Sequence, residues 1–153
     1  MSGEIKHVPH LRLAALDHQG PYPEIGRVFG ELSTIFSARN QWPHASGLAA
    51  VYYDNPSETP EPELKSAAGI IVDATFDMPR DLHEITLGGT RCAVWTLKGP
   101  YSGLPAAWNA LYCDYLPSTG ETPADLPPFE VYLNTPGEMP DEELITEICV
   151  PLG

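Results

Sequence analysis

The segment Val51–Leu64, VYYDNPSETPEPEL, returns as VYLNTPGEMPDEEL at Val131–Leu144, displaced by 80 residues. Val, Tyr, Pro, Glu, Pro, Glu and Leu match in place. Upstream, Gly20-Pro21-Tyr22 returns as Gly99-Pro100-Tyr101, displaced by 79. One short match means little, but two blocks in the same order at nearly the same offset identify two copies of one unit.

Hydrophobic period gives the content of each copy. Before each Gly-Pro-Tyr lies an apolar, β-branched run, Leu11–Leu16 and Arg91–Leu97, closed by a turn signal, which predicts a strand. After it the period becomes helical: Ile25, Val28, Phe29, Leu32, Ile35 and Phe36 in the first copy, Leu104, Trp108, Leu111, Tyr112 and Tyr115 in the second. The first helix is expected to fray near Asn40, ahead of Pro43; Pro117 and Gly120 are expected to stop the second. Two further strands follow in each copy, at 48–53 with 67–73 and at 129–133 with 145–150. A Pro- and acid-rich loop with one helical turn joins them. Each copy is thus βαββ. A three-stranded sheet with one helix leaves a face and its edges open, so the expected fold is α+β: two βαββ repeats related by a pseudo-twofold, with a joined antiparallel sheet, helices packed on it and a central groove. The chain reads as one domain over 1–153, repeat one about 5–75 and repeat two about 83–153.

With 153 residues and 42% hydrophobic residues the chain has enough apolar material for one folded domain, which excludes the disordered class. Eight Lys and Arg against 21 Asp and Glu give a net charge of −13. That field repels nucleic-acid phosphate, so direct nucleic-acid binding is excluded and cationic ligands or basic protein surfaces are favoured. No stretch is long and apolar enough to span a membrane, and MSGEIKHVPH lacks the features of a signal peptide. Cys92, Cys113 and Cys149 form no CxxC pair and sit in apolar surroundings, as buried free thiols do; a reducing cytoplasm is the expected location. His7, His10, His18, His44 and His83 show no metal-ligand spacing, and phosphate-binding and nucleophile-elbow motifs are missing, so neither metal nor cofactor is expected.

Positions that differ between copies point to function, because the shared scaffold alone does not set them. At the offset of 80, Glu147 in ITEICV aligns with Ala67. A carboxylate in so apolar a strand is costly unless paired or placed in a cavity. Two readings stay open. It lies on an exposed face or pairs with Arg91 or Arg12; or it lines the groove and meets a cation, in the kind of site where burial raises a carboxyl pKa and an arriving cation restores ionisation. Trp108 stands where the first copy has Phe29, Tyr112 where it has Ser33, and Trp95 where it has Leu16. Aromatic walls beside one acid suit flat hydrophobic cations, although aromatics at helical spacing equally build a core. Tyr53 and Tyr132 complete the candidate ligand-binding set of Glu147, Trp95, Trp108, Tyr112, Phe29, Tyr53 and Tyr132.

The strand-GPY-helix unit in both halves, GLAAVYYDNP at 47–56, PPFEVYLNTP at 127–136 and ELITEICVPL at 143–152 resemble the GyrI-like family, the stand-alone form of the effector-binding domain of AraC- and MerR-type regulators. The resemblance covers nearly the whole chain. It implies two βαββ repeats around a groove that takes bulky, often cationic or drug-like molecules, with a carboxylate from the final strand at its centre, a position that Glu147 matches. Three activities are implied within the family. The primary expectation is multidrug-type small-molecule binding. The first alternative is hydrolysis of cyclopropane-bearing electrophiles, with Glu147 as the catalytic carboxylate that orients or deprotonates water and Tyr112 or Trp108 holding the electrophile. The second is a gyrase-inhibitor-like protein-binding module using the acidic surface around Glu58, Glu61 and Glu63.

Overall fold

The computed structural model describes residues 2–55, 58–135 and 138–153; the matched Pro56 and Pro136 of the repeat lie outside them. Among the described residues the order of elements is β1 (Ser2–Val8), β2 (Leu11–Gln19), α1 (Gly26–Ala38), β3 (Ala45–Tyr52), β4 (Lys65–Val72), β5 (His83–Leu87), β6 (Thr90–Lys98), α2 (Leu104–Ala110), α3 (Leu116–Thr119), β7 (Phe129–Tyr132) and β8 (Ile145–Pro151). The fold is α+β with antiparallel strand pairing throughout. It divides into two compact units, Leu11–Leu87 and the N-terminal segment through His10 taken with Gly88–Gly153.

In the Leu11–Leu87 unit the strands run β3-β4-β2-β5, with α1 between β2 and β3. In the other unit they run β7-β8-β6-β1, with α2 and α3 between β6 and β7. Each unit therefore contributes four strands where the sequence pattern predicts three. The unanticipated strands are β5, which pairs with β2, and β1, which pairs with β6. β1 carries Glu4 and Lys6 at alternate positions, and β5 carries Glu84 beside His83. Both strands escape a search for apolar runs, and charge is what protects an edge strand.

The repeated motif has a mechanical reason. Gly20 and Gly99 hold φ of 125° and 136°, which side chains rarely adopt, and donate their amides to the Leu64 and Leu144 carbonyls at 2.8 Å in both cases. Pro21 and Pro100, extended at φ −56° and −66°, then open a 3-10 turn that leads into the helix. The loops after β3 and β7 end on a side-chain clamp: Asp54 Oδ2 accepts from the Lys65 amide, and Asn134 Oδ1 from the Ile145 amide, each at 2.8 Å. Only a short side chain ending in an acceptor does this, which explains Asp in one copy and Asn in the other. The acidic loops make the expected single turns, at Glu61–Glu63 and Asp141–Glu143.

α1 buries Val28, Leu32 and Phe36, and Phe36 stacks on Phe76 with ring centroids 5.5 Å apart. The chain leaves the helix at Arg39 and turns at Asn40, which takes φ 54°. The second helix does not stop at Pro117. A π-helical turn over Leu111–Tyr115 lies between α2 and α3, Pro117 sits in the first turn of α3, and the element ends at Gly120, φ 73°. In a regular helix the Pro117 ring would strike the carbonyl four residues earlier; the wider turn before it removes that conflict. Against this helix pack Ala93, Leu97, Ile148, Val150 and Leu152 from β6, β8 and the C-terminus. No helix is long and apolar enough to cross a membrane among the described residues.

Candidate functional site

Pairing register decides which residues of the Gly88–Gly153 unit share a face. Trp95 of β6 and Glu130 of β7 both lie opposite Ile148 of β8, and Ile148 belongs to the core under the helix. Trp95, Ile148 and Glu130 thus form one row on the helix side of the sheet. Glu147 lies opposite Thr96 and Val131, on the other face. The expected constellation of Glu147 with Trp95, Trp108 and Tyr112 is therefore not assembled: the strand's alternation places the acid away from the rings.

On its own face Glu147 pairs with Lys6 of β1, Oε2 to Nζ 3.2 Å, with Glu4 3.4 Å from the same ammonium. Burial opposes the Lys6 charge, yet the hydrogen bonds and charges of Glu147 and then Glu4 prevail and raise its pKa. Neither arginine expected as partner is used. Arg91 binds Glu121 at 2.6 Å, and Arg12 binds Glu84 at 3.0 Å. The partner comes from a strand that the sequence pattern did not reveal. Beside the pair, burial pushes the Cys92 and Cys149 thiols up. Cys113 departs from the expectation of three buried thiols: it is exposed, on the π turn, and donates to Asn109 Oδ1 at 3.2 Å.

The acid among rings is Glu130. Its residue is 2% exposed, in the four-residue strand FEVY, every residue of which is buried. The Trp108 indole N–H donates to Oε2 at 2.5 Å, and the Tyr132 hydroxyl donates to Oε1. Tyr112, one helical turn from Trp108, stacks on it with centroids 5.9 Å apart and planes 9° from parallel. Tyr101 meets Tyr132 edge-on at 5.7 Å. Burial, then the charges of Glu130 and Asp141, push the Tyr101 phenol up. A carboxylate held by an indole and a phenol, within four aromatic side chains, is a preorganised acceptor for positive charge.

The Leu11–Leu87 unit carries half of this arrangement. Tyr22 and Tyr52 meet edge-on at 4.8 Å, as Tyr101 and Tyr132 do. At the aligned positions, however, Phe29 replaces Trp108 and Ala50 replaces Glu130. Acid and indole are particular to the second copy, and the comparison that singled out Glu147 identifies Glu130 equally well. Of the expected residues, Trp108, Tyr112 and Tyr132 gather around Glu130. Trp95 lies two strands away and packs on Tyr115 at 5.9 Å, while Phe29 and Tyr53 belong to the other unit. Among the described residues no group of three or more His, Cys, Asp or Glu is placed to hold a metal ion.

Comparison with known proteins agrees with this reading of the fold. The family model of the GyrI-like small molecule binding domain matches residues 1–152. The chain belongs to the GyrI-like family, and is a GyrI-like small-molecule-binding domain. The DNA gyrase inhibitor of Escherichia coli (strain K12) is 31% identical over 144 residues, covering 90% of this chain and 89% of the relative. Among solved structures, the EcmrR C-terminal domain superposes with a TM-score of 0.74 at 17% identity, over 99% of this chain and 97% of that one. SAV2435 bound to tetraphenylphosphonium superposes with a TM-score of 0.70 at 14% identity, over 100% of this chain and 94% of that one. These two likenesses concern the fold.

Proposed function

We propose that the protein binds bulky hydrophobic cations, with Glu130 as the charge partner and Trp108, Tyr112, Tyr101 and Tyr132 as the aromatic surroundings. The observation that carries this is the 2% exposed Glu130 carboxylate held by indole and phenol donors. A cation gains most where the acceptor is already desolvated and held in place, because little reorganisation remains to be done on binding. The role expected of Glu147 thereby passes to Glu130, since Glu147 already has Lys6 3.2 Å away. Because Glu130 is covered, a ligand reaches it by displacing the Trp108 indole, trading one neutral donor for a full positive charge. That a hydrophobic cation is bound by SAV2435, which shares the fold, supports the choice of ligand class. Titration of the protein with tetraphenylphosphonium, followed by tryptophan fluorescence, tests it. Saturable quenching that Glu130→Gln weakens at least tenfold is expected; equal affinity of wild type and Glu130→Gln overturns it.

A second reading, inhibition of DNA gyrase through a protein contact, is favoured by the curated relatives and by the net charge of −13, which suits a basic partner surface. A supercoiling assay with purified gyrase tests it. Inhibition that survives Glu130→Gln but falls with added salt is expected on this reading, and undiminished supercoiling at excess protein rejects it.

A further inference from the structure

The Leu11–Leu87 unit has a surface cleft of about 470 Å³ lined by Asp17, His18, Gln19, Tyr53, Lys65 and Ser66. That size falls in the range of small-molecule sites, about 300–1,000 Å³. The cleft lies where β3, β4 and β2 run side by side. Gln19 is directly opposite Lys65, and Asp17 opposite Ala67, so Asp17, Gln19 and Lys65 share one face at the strand ends. Tyr53, which donates its amide to the Lys65 carbonyl at 3.0 Å, extends β3 beside them.

The charges in this cleft are separated. Asp17 is diagonal to Lys65 across β2 and β4, which sets their backbones about 7–8 Å apart. The Asp17 carboxylate accepts from His83 at 3.1 Å, and among the described residues no carboxylate stands within ion-pair distance of the Lys65 ammonium. Tyr53 is 46% exposed and lines the cleft together with Asp17, and its phenol is raised by partial burial and then by the Asp17 charge. The aligned positions of the second copy are Thr96, Lys98, Leu133 and Ile145, a set with neither acid nor ring, so the shared scaffold does not require the arrangement. A ligand with an ammonium and a carboxylate a few ångströms apart spans a gap that the two side chains leave open.

We propose that this cleft is a binding site for a small zwitterion of the α-amino acid type, its ammonium on Asp17, its carboxylate on Lys65 and its side chain against the Tyr53 ring. The site shares no residue with the one assigned to Glu130 and does not depend on the reading given for it. Isothermal titration with L-phenylalanine, phenethylamine and 3-phenylpropionate tests it, because each analogue lacks one charge. L-phenylalanine is expected to bind about fivefold more tightly than either analogue, the range of an exposed ion pair. All titrations are made in the Glu130→Gln background, so that the aromatic cation does not also report on Glu130; there Asp17→Asn removes the preference over 3-phenylpropionate alone and Lys65→Gln removes the preference over phenethylamine alone. Equal binding of the three compounds, preferences that survive both substitutions, or no saturable binding of L-phenylalanine at its solubility limit overturns the proposal. Both substituted side chains are exposed, and matching far-ultraviolet circular dichroism confirms that the variants fold.

Discussion

Trp108→Phe is the most informative single change, because phenylalanine is what the first copy carries at the aligned position, Phe29. The ring face against Tyr112 is largely kept, while the N–H that donates to Glu130 Oε2 at 2.5 Å is lost. A hydrogen bond to a charged group contributes about 1.5–3 kcal/mol, and at 2% exposure little water replaces the missing donor. We therefore expect a loss of about 2 kcal/mol in urea unfolding, or about 4–8 °C in Tm for a chain of this size. Part of any loss comes from the smaller ring, so the assay is a double-mutant cycle with Glu130→Ala. In that background the same substitution should cost about 1–2 kcal/mol less. A coupling below about 0.3 kcal/mol, the level at which independent sites simply add, would refute the claim that indole and carboxylate act as a unit.

Three further outcomes follow from other parts of the molecule. Phe36→Ala, at a fully buried position stacked on Phe76, should cost about 3–5 kcal/mol in the same unfolding assay. Asp73 is held below the ordinary carboxylate range by the Thr75 hydroxyl, against burial, and then by His44; Asp81 is held low by Arg39. Both are depressed in the folded state, so their stabilisation is complete above the unfolded value of about 3.9 and is lost as pH falls through the folded ones. Asp81→Asn should accordingly flatten the acid limb of a stability-pH curve and leave its neutral-pH slope unchanged. Of the three thiols, only Cys113 should react with a disulfide reagent in the native protein, since Cys92 and Cys149 are buried and their thiols pushed up; rapid release of more than one equivalent without denaturant would contradict the burial assigned to them.

The repeat was legible because it is written in residues with demanding geometry: glycines at φ above 120°, prolines that open a turn, and Asp or Asn as a clamp. The helices were legible from their apolar period. The two edge strands were not, because a strand that must not pair further carries charge in place of an apolar alternation. The π turn that lets Pro117 continue the helix leaves no mark that its residues would show in isolation. The acid was half legible. Comparing the copies isolates Glu147 against Ala67 and Glu130 against Ala50 with equal force. Alternation says only that residues two apart share a face. Which face holds the helix is fixed by register, where Glu130 meets Ile148 and Glu147 meets Val131. A shift of one residue between the two strands would put both acids on one face, and no pattern within either strand decides between them.

Charge discrimination at Glu130 tests the central claim most directly. Benzyltrimethylammonium and its neutral carbon isostere neopentylbenzene have nearly the same shape, so their affinity ratio isolates the contribution of the positive charge. The account predicts that the wild-type protein prefers the cation at least tenfold and that Glu130→Gln abolishes the preference while Glu147→Gln leaves it intact. A preference that survives Glu130→Gln, or one that disappears with Glu147→Gln, would contradict it.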